Sequence, residues 1–303
     1  MRPSLSIDIA GMRLRNPTIL ASGVLGLSGV MMRRVAESGA GAIVTKSIGL
    51  KPRKGYPNPT FVRVVSGYVN AMGLPNPGIK EFLKELLIAS EGGVPIIVSV
   101  FGSSIDEMVS VIERVERVAD ALELNLSCPH VQKTGLEMGS DPELVTDVVS
   151  QARLATRKPM FVKLSPLVSD IAGLARACEK AGADGITAVN TAKAMVIDVE
   201  AKMPVLSNKV GGLSGPALKP IALRCVYEVY EAVKIPVIGC GGVTTWRDAV
   251  EFLMAGARGV QIGTGIVYKG LKIFKEVIEG IQSYMIKNKV EDVEELVGIA
   301  HYR

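Results

Sequence analysis

Eight short apolar runs recur along the chain, separated by longer amphipathic stretches, and this alternation constrains the fold more than any other feature. The runs cover residues 17–21, 42–45, 95–100, 121–125, 160–163, 185–189, 236–239 and 259–262. Most are hydrophobic almost without interruption, as parallel strands buried on both faces require. Stretches 107–118, 143–157, 171–181 and 246–255 carry a helical apolar period. Their starts show capping-box spacing at Ser104 with Glu107, at Ser140 with Glu143 and, more loosely, at Thr245 with Asp248. Pro142 stands where a first-turn proline is tolerated. Ser38-Gly39-Ala40, Ala181-Gly182-Ala183 and Ala255-Gly256-Ala257 each precede a strand, and glycine there permits a left-handed helix end.

Eight βα units in 303 residues predict an α/β fold, a closed (β/α)8 TIM barrel, with a doubly wound sheet as the alternative. Against that alternative, the first strand leads into Ser22-Gly23-Val24-Leu25-Gly26, with no GxGxxG. Residues 5–16 alternate around Gly11 and predict a short N-terminal β-hairpin. With no linker or low-complexity tract, residues 1–303 read as a single domain. A hydrophobic share of 48% excludes a disordered chain, and a net charge of +5 is too mild to imply a nucleic-acid partner. The four cysteines form no CxxC pair, which argues against a disulfide framework, a bound metal or an iron–sulfur cluster held by this chain. Neither a signal peptide nor a membrane helix is legible, so the expected setting is cytoplasmic, away from the membrane.

In such a barrel chemistry sits on the loops that follow the strands. Three of these are long, at residues 47–76, 127–140 and 190–215. Gly241-Gly242 after the seventh strand and Gly263-Thr264 after the eighth suit a phosphate, because glycine lets backbone amides approach an anion. Tight turns without a ligand are the plainer reading of either pair alone. Lys46 and Lys163 each close an apolar strand, where an ammonium needs an anionic partner or a path to the rim. A fixed cation there would stabilise a flavin that has accepted a hydride. Cys128 opens the loop after the fourth strand, beside Asn125 and Ser127, as a candidate base or nucleophile. His130 lies close by; Cys178 and Cys225 read as small core hydrophobes, and Cys240 sits at the glycine turn. Asn70, Asn125 and Asn190, the last followed by Thr191, offer paired donors and acceptors for a flat heterocycle.

Six motifs in order then resemble the class 1 dihydroorotate dehydrogenases. They are Asn70-Ala71-Met72-Gly73-Leu74-Pro75-Asn76, Asn125-Leu126-Ser127-Cys128-Pro129, Val189-Asn190-Thr191, Gly211-Gly212-Leu213-Ser214-Gly215-Pro216-Ala217, Gly241-Gly242-Val243 and Gly263-Thr264. The resemblance implies a barrel that holds FMN at its strand ends and oxidises (S)-dihydroorotate to orotate in pyrimidine synthesis. It implies FMN contacts at Ser22, Lys46, Ser47, Ser99, Asn125, Lys163, Val189, Gly215, Gly241, Gly242, Gly263 and Thr264. It implies substrate contacts at Lys46, Asn70, Ala71, Met72, Gly73, Leu74, Asn125, Asn190 and Thr191. Cys128 matches the family's base, taking a proton from C5 while a hydride passes from C6 to FMN. The segment from Gly212 to Pro220 is most similar to class 1B. That class implies a homodimeric core joined to an FAD and [2Fe–2S] electron-transfer subunit, in a heterotetramer that reduces NAD+.

The chain departs from the family pattern in three places. Ser99 and His130 stand where the family has asparagine, and residues 132–139 replace a more glycine-rich segment. Other readings are a dihydropyrimidine dehydrogenase-like subunit acting on uracil or thymine, a fumarate-using class 1A enzyme, a non-catalytic flavin or phosphate module, and a tRNA-reducing flavoprotein. The lysine and amide set for a substrate carboxylate, the presence of Cys128 and the mild charge favour dihydroorotate.

Overall fold

The computed structural model describes residues 2–126 and 141–302. Its centre is a closed barrel of eight parallel strands: β1 Thr18–Leu20, β2 Ala42–Val44, β3 Ile96–Val100, β4 Ala121–Asn125, β5 Met160–Leu164, β6 Gly185–Ala188, β7 Val237–Cys240 and β8 Ala257–Ile262. Each strand pairs with the next in sequence, and β8 pairs with β1 to close the ring. This is the expected (β/α)8 barrel, with every expected strand in place to within a residue or two. Closure leaves no strand edge unpaired, so the buried main chain is satisfied by the ladder itself.

The N-terminal hairpin, Ile7–Ile9 with Met12–Leu14, packs beneath the barrel. Arg258 Nε donates to the Asp8 carbonyl at 2.8 Å. A Cβ on Gly259 would stand 2.7 Å from Ile9 Cδ1, so that close approach needs glycine. The hairpin thus seals the end where β8 begins and leaves the opposite end for the loops.

Nine helices are described: α1 Gly29–Glu37, α2 Ile79–Ser90, α3 Ile105–Val115, α4 Pro142–Leu154, α5 Ile171–Lys180, α6 Lys219–Ala232, α7 Trp246–Met254, α8 Gly265–Lys269 and α9 Lys272–Asn288. None is long and apolar enough to cross a membrane. Gly39, Gly182 and Gly256 follow α1, α5 and α7 with φ of +113°, +101° and +112°, as the stop signals predict. The start signals fare unevenly. Ser104 accepts from Glu107 N, but the Glu107 carboxylate turns to Ser103, giving half of the expected box. The α4 cap is Asp141, which accepts from Glu143 N and Leu144 N; Ser140 lies outside the described residues. Thr245 and Asp248 form the full reciprocal box, at 3.3 and 2.8 Å.

Two long excursions prove to be more than loops. Phe61–Val64 and Gly67–Asn70, after β2, join Ala192–Met195 and Val210–Ser214, after β6, in a four-stranded antiparallel sheet above the barrel. Val69, Ala71 and Leu206 form a small core of their own there. The sheet was hidden because its strands are short and its central pairing, Gly67–Asn70 with Val210–Ser214, joins segments more than a hundred residues apart.

Asp248 also accepts from Lys219 Nζ at 2.7 Å. Burial would raise its pKa, but Lys219 and the donors of Thr244 and Thr245 outweigh burial and hold it below the ordinary aspartate value. The stabilisation it supplies is therefore complete above the unfolded value of about 3.9 and is lost as pH falls through the depressed folded one. Removing its cap partner in Thr245→Ala is expected to cost about 1 kcal/mol in denaturant unfolding.

Candidate active site

The loop-bearing end of the barrel encloses a cavity of about 490 Å³, within the roughly 300–1,000 Å³ range of small-molecule sites. One end is walled by Gly215, Gly241, Gly242, Gly263 and Thr264. A glycine can line a cavity only with its main chain, so this end is largely peptide. Gly242 is held at φ +76°, and a Cβ there would stand 2.7 Å from the Gly215 carbonyl oxygen. No other residue fits both the conformation and the space. The start of α7 is already occupied by the Asp248 carboxylate, so amides for an external anion come from the glycine turns rather than from that helix.

The floor is polar and charged. Side chains two residues apart on a strand share a face, which points Glu123 and Asn125 of β4 to the same interior, where both line the cavity. Lys163 of β5 donates to Gln261 Oε1 at 2.8 Å. Gln261 Nε2 donates to Glu123 Oε2 at 2.6 Å, and Thr187 Oγ1 donates to the same oxygen at 3.1 Å. Lys163 Nζ stands 3.6 Å from Glu123 Oε1, which accepts no hydrogen bond among the described residues. Burial alone would lower the Lys163 pKa, but Cys240 and Glu123, which face it, prevail and hold it above the usual lysine value. Burial pushes the Cys240 thiol up, and Glu123 is the carboxylate that pairs with Lys163.

Lys46 has a different environment. It is 8% exposed, and its Nζ reaches only the Gly23 carbonyl, at 3.3 Å, among the described residues. Burial lowers its pKa. Beside it, Ser47 Oγ accepts from Asn125 Nδ2 at 3.0 Å and lies 2.9 Å from Ser99 Oγ and 3.4 Å from Ser22 Oγ. The far wall carries Asn70, Met72, Gly73 and Leu74, facing Val189, Asn190 and Thr191.

A family model described as dihydroorotate dehydrogenase matches residues 4–285. A protein of Pyrococcus furiosus named dihydroorotate dehydrogenase B (NAD(+)), catalytic subunit, is 53% identical over 98% of this chain and 99% of its own. The chain belongs to the dihydroorotate dehydrogenase family. A protein of the same name from Methanocella arvoryzae is 48% identical, over 98% of each chain. The Eimeria tenella dihydroorotate dehydrogenase, solved in complex with ferulenol, superposes with a TM-score of 0.86 over 99% of this chain and 89% of that one; at 22% identity it bears on the fold. The Pyrococcus furiosus and Methanocella arvoryzae relatives both carry B-type, NAD(+)-linked names.

Most residues expected to contact FMN or substrate line this one cavity, from Ser22 and Lys46 round to Gly263 and Thr264. Two do not. Ser99 is fully buried one layer behind Ser47, because serine is too short to reach past it. Ala71, the first residue past the strand that ends at Asn70, packs with Val69 and Leu206 in the small core of the antiparallel sheet, whereas its neighbours Asn70 and Met72 line the cavity. Cys128 and His130 lie outside the described residues. Glu123 and Gln261 went unread, although an acid within Ala-Leu-Glu-Leu-Asn and a glutamine within Val-Gln-Ile are polar residues in buried strands. That pattern signals a built interior network.

An anion seated beside Lys46 binds the ammonium form. Its affinity should hold below the lowered Lys46 pKa and fall above it, by about tenfold per pH unit at most. Calorimetric titration with orotate checks this, and Lys46→Met should weaken binding and remove the dependence.

Proposed function

We propose that this chain binds FMN in the cavity and oxidises (S)-dihydroorotate to orotate as the catalytic subunit of an NAD+-linked dihydroorotate dehydrogenase. The observation that carries the reading is the joining, in one cavity, of a peptide-walled glycine end and two buried lysines. The residues present fit FMN. Gly241, Gly242, Gly263 and Thr264 would hold its phosphate, Ser22, Ser47, Asn125, Val189 and Gly215 its flanks, and Lys163 the electron-rich side of its ring. FMN, when bound, supplies a two-electron hydride acceptor.

The remaining roles belong to the chain. Lys46, with the main chain of residues 70–74, holds the substrate carboxylate; its burial without a resident anion suits a ligand that brings one. Asn125, Asn190 and Thr191 hold the ring, each amide presenting a donor and an acceptor. Thr191 N donates to Asn190 Oδ1 at 2.8 Å and Asn190 Nδ2 to Asn125 Oδ1 at 3.4 Å, which fixes those amides relative to one another. Cys128 acts as the base that takes the proton from C5.

The B-type relatives are named as catalytic subunits. On that analogy we assign this chain to a homodimeric core that reaches NAD+ through an FAD and [2Fe–2S] subunit.

The protein is expected to purify with FMN and to be reduced anaerobically by dihydroorotate. In stopped-flow experiments Cys128→Ser should slow that reduction by about 100-fold or more, the scale of a lost general base. Near-normal reduction would remove Cys128 from the chemistry, and a preparation without flavin bands would end the FMN reading. The isolated chain should not reduce NAD+. Steady NADH formation without a co-purifying subunit would end the two-subunit reading.

A further inference from the structure

The floor of the cavity holds an acid for which the substrate and flavin contacts give no role. Glu123 is fully buried and lines the same cavity as Lys163. Its Oε2 accepts from Gln261 and Thr187, whereas Oε1 accepts no hydrogen bond among the described residues and faces Lys163 Nζ at 3.6 Å. Gln261 completes the unit, accepting from Lys163 with one end of its amide and donating to Glu123 with the other. A carboxylate and an ammonium buried together are costly in a barrel core. A larger apolar side chain would fill β4 at lower cost if packing were the only need.

We propose that Glu123 is a positioning residue: acting through Lys163 and Gln261, it keeps the Lys163 ammonium protonated and aimed at the cavity floor, so that a fixed cation faces the bound flavin over the whole working pH range. The inference rests on the FMN reading above and adds to it the group that maintains the charge. Among the described residues, the titratable groups facing Lys163 are Glu123 of β4 and Cys240 of β7; Thr187 of β6 and Gln261 of β8 are polar and neutral. Without Glu123, Lys163 would be a nearly lone ammonium in a buried site, and burial would favour its loss of a proton.

The test is the midpoint potential of the protein-bound flavin, measured by dye equilibration from pH 6 to 9.5. The wild type should give a line with no break from Lys163. Glu123→Gln, which keeps the shape and removes the charge, should introduce a break. Above it, the balance of reduced to oxidised flavin should fall at least tenfold below the wild-type line, about 30 mV for a two-electron couple. The break should vanish in the double variant Glu123→Gln/Lys163→Met. A Glu123→Gln line that tracks the wild type would overturn the proposal. So would a break that survives in the double variant, since it would belong to Cys240.

If Glu123→Gln does not fold, recovery of folding in the double variant decides; if no flavin is bound, unfolding of the two single variants and the double variant does. Coupled residues should show losses far from additive, with the double variant recovering much of the stability lost by either single one; additive losses would overturn the proposal. An absence of flavin bands in the wild type counts against the FMN reading alone, because the unfolding cycle still reads the pair.

Discussion

An ammonium group inside a barrel must either keep an anion beside it or lose its proton, and this barrel buries two such groups at one end. They meet the constraint in different ways. Lys163 has a resident counter-charge in Glu123 and a neutral bridge in Gln261. Among the described residues Lys46 has only the Gly23 carbonyl, which leaves its charge without a resident counter-ion there. One lysine is thus suited to permanent electrostatic duty toward a resident cofactor, the other to a substrate that comes and goes with its own carboxylate. Neither arrangement is stable in isolation, because desolvating a charge costs more than most single contacts return. The closed ladder of eight strands carries that cost by satisfying its main chain internally and surrounding the polar floor with a continuous apolar core.

The same division extends outward from the floor. The glycine turns after β7 and β8 offer main chain but no side chain, which serves an anion of fixed shape. The wall at Ser47 offers hydroxyls and an amide that hold one another in place. Ser47 Oγ is shared by Asn125 and Ser99, and Ser99 has no contact with the cavity. A serine in that strand therefore supports the ligand-facing hydroxyl from behind, where a longer asparagine would reach forward.

Much of this was legible before any coordinates, and the exceptions share physical causes. Buried parallel strands announce themselves as apolar runs, so 121–125 coincides with β4 as observed. Positive-φ glycines after helices announce themselves because few other residues tolerate that geometry, as at Gly39 and Gly256. The cavity residues could be grouped because barrel topology sends every strand's C-terminal end to one face. What stayed hidden depends on direction or on distance along the chain. Ser99 and Ala71 sit in the right segments, but Ser99 bonds to Ser47 from behind and Ala71 packs into the core of the antiparallel sheet, contacts that only the folded chain sets. Glu123 and Gln261 are single polar letters in apolar words, 138 positions apart, and only closure of the ring brings them to 2.6 Å.

The antiparallel sheet above the barrel carries this lesson into function. Its register sets Asn70 opposite Gly212, and Asn70 Nδ2 donates to the Gly212 carbonyl across 142 positions of sequence. Gly212 can have no side chain, since a Cβ would collide with Thr191. The sheet therefore clamps together Asn70 and Thr191, residues from two separate excursions that wall the same cavity. Such pairings close long loops and give little until both excursions are in place. The geometry of this cavity wall is then a property of the sheet as a unit, and a change in strands Ala192–Met195 or Val210–Ser214 reaches the wall even where the altered residue does not line the cavity.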